Sequence, residues 1–392
     1  MKDIYITFYD SGKVYTTIYN GFSFGRDKTI EFLDLYFSNQ DSTNKIKETI
    51  DSIKGIRKIW CSVTTSNHFL QVKSIVDNRW ILGGPFINFI NSIPEVESRV
   101  QNLDCEVFSG QIEDYLGESL SGDFDFYFKD FISRFKNKQI VFASNIGSGC
   151  YWNKCVFCNF KNYSWPRFLR PNIEKLINSL PESPLGDNVV GSHACMSSTP
   201  VDVLRQIVKS KKKNTILALY LRADDFIIDE VRSYDNLKGF SFSLGMEGLS
   251  QGIIDNLDKG MKLKSMLELT EILLMKNAVV RLNLMTNHTY SGKDEVNECI
   301  ETLSKIKTFR EKYNSLAVRM HGPILFLSKQ VAEKYGPHGC YTDGFVDYYI
   351  NILSDEQKHY NNIVSEEMKK ITPFVRRFDY FNVPSLTKKE LV

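Results

Sequence analysis

The chain lacks any apolar run reaching the roughly 18 residues that a membrane span requires, and no positively charged, apolar leader opens it. It also lacks a dominant charge. The 49 Lys and Arg against 47 Asp and Glu leave a net charge of +2, with no electrostatic footprint for nucleic acid, so nucleic acid and membrane stand outside the expected partners. The run Lys209, Lys211, Lys212, Lys213 reads as a solvated helix end. No low-complexity segment or short internal repeat breaks the 392 residues. What remains is a chain long enough for two or three domains, with 42% apolar residues to fill their cores.

Cysteine is not scarce: the chain has eight, and Cys150, Cys155 and Cys158 fall within nine residues, directly after a strand-like run from Gln139 to Ala143. Thiolates crowded on one loop repel each other unless metal neutralises them, so the loop is expected to hold a metal or a metal cluster. The C-x4-C-x2-C spacing suits a two-iron centre closed by a distant fourth cysteine. It also suits a zinc site completed by His193 or Cys195. A third option is a [4Fe-4S] cubane with three protein ligands and one open iron. With three thiols committed to such a site, a reducing, cytoplasmic setting is expected.

After the loop, short apolar runs at Asn188 to Gly191, Ile216 to Leu221, Gly239 to Met246, Val279 to Met285 and Ser315 to Met320 alternate with helical spacing such as Asp202 to Lys209 and Lys264 to Lys276. With the strand before the loop, that predicts six β/α units with a parallel sheet. The runs read as apolar throughout, as strands covered on both faces would be. The cysteine loop then falls at the carboxyl end of the first strand, where barrel active sites lie.

The cysteine loop, with Phe157 just before its last cysteine, resembles that of the radical S-adenosylmethionine (SAM) superfamily, with one extra residue between the first two cysteines. Gly191-Ser192-His193, with Thr199-Pro200 after it, is similar to the turn that meets the SAM amino group. Ser243-Leu244-Gly245-Met246-Glu247-Gly248, followed by Leu257-Asp258-Lys259-Gly260, resembles the "GIES…L…KG" segment of the coproporphyrinogen dehydrogenase and Elongator-type branches. The resemblance implies an α/β fold built on a partial (β/α)6 barrel. It implies that Cys150, Cys155 and Cys158 hold a [4Fe-4S] cluster, and that SAM binds the open iron and is cleaved to methionine and a 5′-deoxyadenosyl radical. It implies cofactor contacts from Phe157, Gly191, Ser192, Arg222, Glu247, Lys259 and Asn283. An acceptor such as Glu247 suits ribose hydroxyls, and a cation such as Lys259 suits a carboxylate. A small electron donor such as flavodoxin or ferredoxin is an expected partner.

Residues 1–135 read as a doubly wound α/β unit: strands at Ile4 to Phe8, Ile59 to Val63, Trp80 to Leu82 and Cys105 to Phe108, with helices around Thr29 to Phe37, His68 to Val76 and Ile112 to Leu116. The phrases Cys61-Ser62-Val63-Thr64-Thr65, Ile81-Leu82-Gly83-Gly84-Pro85 and Glu106-Val107-Phe108-Ser109-Gly110 resemble the cobalamin-binding domain that precedes the barrel in many radical SAM enzymes. The D-x-H-x-x-G motif that would supply a histidine to cobalt is absent. Cobalamin therefore joins the cluster and SAM as a third cofactor, unless the unit is a degenerate relic.

Residues 136–324 are assigned to the barrel and 325–392 to a C-terminal extension that shapes the substrate site. The extension carries a turn-rich loop, Tyr335 to Tyr341, then Val346 to Leu353 and a polar helix from Asp355 to Met368. Its lone Cys340 is the candidate hydrogen-atom donor of an epimerase, with Cys195 as the alternative. The expected function is a radical SAM enzyme acting on a peptide or specialised metabolite, with epimerisation and cobalamin-dependent methylation as competing outcomes. An iron-sulfur or zinc protein for electron transfer or scaffolding is the reading of another class.

Overall fold

The computed structural model describes residues 2–9, 13–17, 31–38, 40–63, 66–84, 87, 90, 100, 102–108, 139–147, 150–158, 173–174, 177, 189–211, 215–324, 326, 329–342 and 347–371. The predicted helix at Ile112 to Leu116 lies outside them. Its strands are β1 (Lys2–Tyr9), β2 (Lys13–Thr17), β3 (Glu31–Ser38), β4 (Ile56–Ser62), β5 (Trp80–Gly83), β6 (Glu106–Val107), β7 (Gln139–Gly147), β8 (Val189–Ser198), β9 (Leu217–Leu221), β10 (Phe240–Glu247), β11 (Val279–Thr286), β12 (Leu316–Pro323), β13 (His338–Thr342) and β14 (Asp347–Asn351). No helix among the described residues is long and apolar enough to cross a membrane.

Five strands form a parallel sheet in the order β3-β1-β4-β5-β6. Counting only this sheet's strands, that is the flavodoxin-like order 2-1-3-4-5, whose topological switch point opens a crevice between the carboxyl ends of β1 and β4. Close packing marks that edge: Gly84 has φ +99, and a Cβ there would come within 2.9 Å of the Val63 carbonyl. The segment read as a helix around Thr29 to Phe37 is instead the strand β3, paired with β1 along its whole length. The apolar residues Leu33, Leu35 and Phe37 recur with period two, and Phe37 and Leu35 pack into the core of this sheet.

The second sheet is also parallel, in the order β12-β11-β10-β9-β8-β7-β2. Strands β7 to β12 follow chain order, as six successive β/α units require. The added edge strand β2 comes from the start of the chain and pairs with β7, a neighbour that the pattern alone did not predict. Leu217, Leu219, Phe240, Phe242, Leu244, Val280, Leu282, Leu284, Leu316 and Val318 share one core with residues of the helices Val201–Ser210, Asp225–Arg232, Leu263–Met275 and Lys293–Lys312.

The expectation that these strands are apolar throughout is corrected. Burial alternates along β11 and β12, and the residues between the core positions are Arg281, Asn283, Met285, Arg319 and His321, all half-buried. The reason is that, among the described residues, the helices packed on these strands share the core of one face. The other face keeps polar side chains at partial exposure.

The C-terminal segment differs from its reading too. The turn-rich loop is in its second half the strand β13, paired antiparallel with β14, with Cys340 opposite Tyr349. Along β14 the side chains alternate between the two cores: Tyr348 is buried with the five-stranded sheet, while Tyr349 packs on the core of the seven-stranded one. Phe326 exchanges two backbone hydrogen bonds with Tyr349, at 2.8 and 2.7 Å.

Candidate active site

The cysteine loop sits beyond the carboxyl end of β7 and is seated on the turn Leu257–Gly260. Three successive carbonyls of that turn are taken up: Leu257 O accepts from Val156 N at 3.2 Å, Asp258 O from Trp152 Nε1 at 2.7 Å, and Lys259 O from Arg222 Nη2 at 2.7 Å. Asp258 (φ +50) and Gly260 (φ +59) are both left-handed, which turns the chain tightly enough to present the carbonyls side by side. Gly260 is irreplaceable for a second reason. A Cβ there would lie inside the Trp152 indole. Within the loop, Asn153 is left-handed at φ +52, a conformation asparagine tolerates, and Cys158 N donates to Cys155 O at 3.2 Å.

Arg222, one residue past β9, is buried and binds the loop from the other side. Its guanidinium meets Asp224 at 3.0 and 3.3 Å and lies 4.8 Å from the Trp152 ring centroid and 5.8 Å from that of Tyr151. Tyr151 donates to the same Asp224 carboxylate at 2.5 Å, and burial together with that bond pushes its phenol far above the usual range. Arg222 is thus engaged by Asp224 and by the Lys259 carbonyl, in a clamp on the cysteine loop.

Cys155 is buried, and Cys150 Sγ lies 3.6 Å from Ser198 Oγ. Burial raises the Cys155 thiol above its ordinary value, while Lys259 and Arg222 pull it back down. Among the described residues no three His, Cys, Asp or Glu side chains converge as a single metal ion would need. A cubane places each thiolate on a different iron and needs no such convergence. Three thiols on one loop, flanked by two buried cations that offset thiolate charge, form a donor set that fits a cluster.

Lys259 links this loop to the acid. Its ammonium lies 3.7 Å from Glu247 Oε1 and 5.4 Å from the centroid of the Phe157 ring. Glu247 ends β10 at a bulge, with φ +61, a conformation costly for a side chain larger than glycine. Its carboxylate folds back over Gly245, where a Cβ would collide with it. His288 holds the bulge: its Nε2 lies 3.0 Å from Glu247 O and 3.1 Å from Met285 O, so this nitrogen carries the proton.

The helix Asp355–Ile371 in turn fixes His288. Asn361 Oδ1 accepts from His288 N and its Nδ2 donates to His288 O, and Gln357 makes the same double bond to Tyr290. Sequence reasoning missed His288, Gln357, Asn361 and the Asp224–Tyr151 bond. The available signal was the pair of amides four apart on one helix face.

His288 provides a pH test. Burial pushes its pKa down to about 4, so the folded chain keeps it neutral while the unfolded chain protonates it near 6.5. The stabilising effect is full above pH 6.5 and is lost as pH falls toward 4. That is worth up to about 3 kcal/mol. In denaturant titrations, the stability gap between wild type and His288→Gln should narrow by that order between pH 7 and pH 4.5; a gap independent of pH would show that His288 is not held neutral.

Asn283, on β11, donates to Leu244 O at 3.4 Å and accepts from His321 Nε2 at 3.2 Å. Gly191, Ser192 and Cys195 all lie within β8, which runs on to Ser198, so the turn expected at 191–193 comes only at Thr199-Pro200. Cys195 is level with Gly147 of β7, and the side chains of 191–197 lie outside the description. Cys340 is exposed on its hairpin, with Asp347, Tyr349 and Lys329 as its electrostatic neighbours.

No protein-family model matches the chain, and no curated protein is similar to it in sequence. Solved structures are. OxsB, a cobalamin-dependent S-adenosylmethionine radical enzyme with aqua-cobalamin and SAM bound, superposes with a TM-score of 0.59 at 13% identity over 93% of this chain. The fold is that of the cobalamin-dependent radical SAM enzymes. The radical SAM methyltransferase TsrM from Kitasatospora setae, with cobalamin and a [4Fe-4S] cluster bound, matches 95% of this chain and 89% of its own, with a TM-score of 0.54 at 9% identity. The chain spans 66% of the OxsB chain, just under two-thirds of its length.

Proposed function

We propose that this chain is a cobalamin-dependent radical SAM enzyme that transfers a methyl group. In this reading β7 to β12 curve into a partial (β/α)6 barrel within residues 136–324, residues 1–135 form the cobalamin-binding unit, and 325–392 border the substrate. Cys150, Cys155 and Cys158 hold a [4Fe-4S] cluster. When bound, that cluster supplies the electron that divides SAM into methionine and a 5′-deoxyadenosyl radical. The chain's own residues orient the parts: the Leu257–Gly260 turn and Arg222 seat the loop, Glu247 offers the ribose an acceptor from a bulge locked by His288, and Lys259 offers a cation to a carboxylate. Phe157, Gly191, Ser192 and Asn283 are the further cofactor contacts in this reading. The partners are a peptide or small-molecule substrate and a flavodoxin- or ferredoxin-like donor, in the cytoplasm.

The observation that carries the reading is the extent of the likeness. It takes in 93% of the chain, and so covers both the sheet with the cysteine loop and the 2-1-3-4-5 sheet with its crevice. The likeness to the methyltransferase TsrM over 95% of the chain supports methyl transfer over epimerisation, whose candidate donor Cys340 is exposed among Asp347, Tyr349 and Lys329. Anaerobically reconstituted protein, given reductant and methyl-labelled SAM, should bind cobalamin and release 5′-deoxyadenosine. An intact four-iron cluster with no 5′-deoxyadenosine would overturn the proposal, and failure to bind any corrinoid would return the choice to epimerisation.

Cobalamin should bind with no histidine on cobalt. The one histidine of residues 1–135, His68, is buried and stacked on Phe8, with ring centroids 4.4 Å apart, and burial pushes its pKa down to about 3. Paramagnetic resonance of the Co(II) form should be identical for protein with ordinary and with 15N-labelled histidine. A change in superhyperfine splitting would refute the expectation.

A further inference from the structure

An irregularity in the seven-stranded sheet places Ser198 beside the cysteine loop. Along β8 and β9 the register runs Ser192 with Leu217 and His193 with Ala218, then shifts so that Ser198 is level with Tyr220, five residues of β8 against two of β9. The last side chain of the lengthened strand meets the first cysteine: Ser198 Oγ lies 3.6 Å from Cys150 Sγ. The backbone on its far side is pinned. Thr199 N donates to Tyr220 O at 2.8 Å, and Pro200 O accepts from Leu204 N at 2.9 Å as the chain enters the helix Val201–Ser210.

With a free thiol at Cys150, the S–H donates and Ser198 accepts. Metal reverses that direction. A cysteine ligates iron as its thiolate and has no proton left to give, whereas a hydroxyl can donate as readily as it accepts. Among the described residues the Ser198 hydroxyl has no other hydrogen-bond partner, so its proton can turn to the sulfur. Hydrogen bonds to ligand sulfurs are among the factors that set an iron-sulfur potential. Reduction adds an electron and makes the sulfurs more negative, and a hydrogen bond to a more negative acceptor is stronger. The bond therefore favours the reduced cluster. It acts at a different sulfur from the cations Lys259 and Arg222, whose charges bear on Cys155.

We propose that Ser198 is a positioning residue for electron entry: its hydroxyl donates to the Cys150 thiolate and raises the potential at which the cluster accepts one electron from a flavodoxin- or ferredoxin-class carrier. The inference rests on the [4Fe-4S] reading of the loop. It adds a residue from another strand, which the spacing of the cysteines does not reveal.

Reconstituted full-length protein, without SAM, is titrated anaerobically with a chemical reductant and low-potential mediators, and the reduced cluster is followed by paramagnetic resonance. In Ser198→Ala the ratio of reduced to oxidised cluster at a fixed potential should fall roughly tenfold, which for a one-electron couple is a shift of about 59 mV to lower potential. Iron content should stay at about four per chain. Ser198→Thr keeps a hydroxyl and should recover most of the loss. A second measurement needs only the wild type: after exchange into heavy water, pulsed paramagnetic resonance of the reduced cluster should show a coupled deuteron, and Ser198→Ala should lack it. An unchanged or higher potential in Ser198→Ala, a Ser198→Thr potential equal to that of the alanine variant, or identical deuteron couplings in wild type and Ser198→Ala would each overturn the proposal. Should the alanine variant fail to fold, a wild-type cluster with no coupled exchangeable deuteron overturns it. Iron analysis keeps the two ideas apart: a four-iron wild type whose potential ignores Ser198 sinks this inference alone, whereas a two-iron or zinc centre sinks the radical SAM reading and this inference with it.

Discussion

Replacing Cys150, Cys155 or Cys158 by alanine is expected to abolish both iron binding and 5′-deoxyadenosine release, in each variant separately. A cubane held by three protein ligands has no spare thiolate to substitute for a lost one. Of the other cysteines, the four whose side chains are described offer no rescue near the loop: Cys61 and Cys299 are buried in other surroundings, Cys105 lies beside Asp104 and Asp77, and Cys340 is on its hairpin. Iron and sulfide analysis should give about four of each per chain in wild type and close to none in the variants. Folding should survive, because the loop packs against the main core through Val156 and Phe157, which the substitutions leave in place. A two-iron centre in wild type, or a variant that keeps its cluster, would defeat the assignment of these three ligands.

The second large effect is expected at a residue distant from the cysteines in sequence, at Gly260→Val. A side chain at φ +59 costs roughly 1–2 kcal/mol, and more when β-branched. The Trp152 ring must also leave its place, losing its bond to Asp258 O and its stacking on Arg222, which together are worth about 2 kcal/mol. The cysteine loop then loses one of its two direct bonds to the carbonyls of this turn. Cluster occupancy should fall severalfold while far-UV circular dichroism stays close to wild type. Gly55→Ala isolates the backbone part of the cost, since Gly55 has φ +75 with nothing near its missing Cβ, and it should lose about 1 kcal/mol with full iron content. Normal cluster occupancy in Gly260→Val would mean that the 257–260 turn does not seat the loop.

The parts of this molecule legible in the sequence are those encoded locally. Three thiols in nine residues declare themselves, and β7 to β12 follow from short apolar runs separated by helical spacing, each bounded within a few residues of its observed ends except β8, which runs on to Ser198, seven residues past the end read for it. The segment around Leu33 and Leu35 was misread because eight residues rich in Phe, Leu and Tyr fit both periods, and its pairing with β1 decides the matter. The alternation along β11 and β12 was passed over because Val279 to Met285 is apolar on average, although Arg281 and Asn283 stand at every second place. Contacts between distant segments left no local trace. Glu247 was recognised as an acid near the end of a strand, yet its bulge depends on His288, and His288 on Gln357 and Asn361, across roughly a hundred residues of chain. Likewise nothing local links Trp152 to Gly260, although each makes sense only with the other.

Strand β2 carries a consequence for how the protein is made. Lys13 through Thr17 find their partners only at Gln139 through Ala143, so this strand leaves the ribosome long before its neighbour exists. At roughly 5–20 residues per second the wait is on the order of ten seconds. Meanwhile β1 and β3, on either side of it in the chain, pair with each other in the five-stranded sheet and so fix the chain before and after β2. Shortening the segment between β1 and β3 would pull β2 off the edge of β7 and leave a bare strand edge on the nascent seven-stranded sheet, a template for pairing with a second chain. Deletions between residues 10 and 30 should therefore act first on soluble yield during synthesis, before any effect on catalysis can be measured.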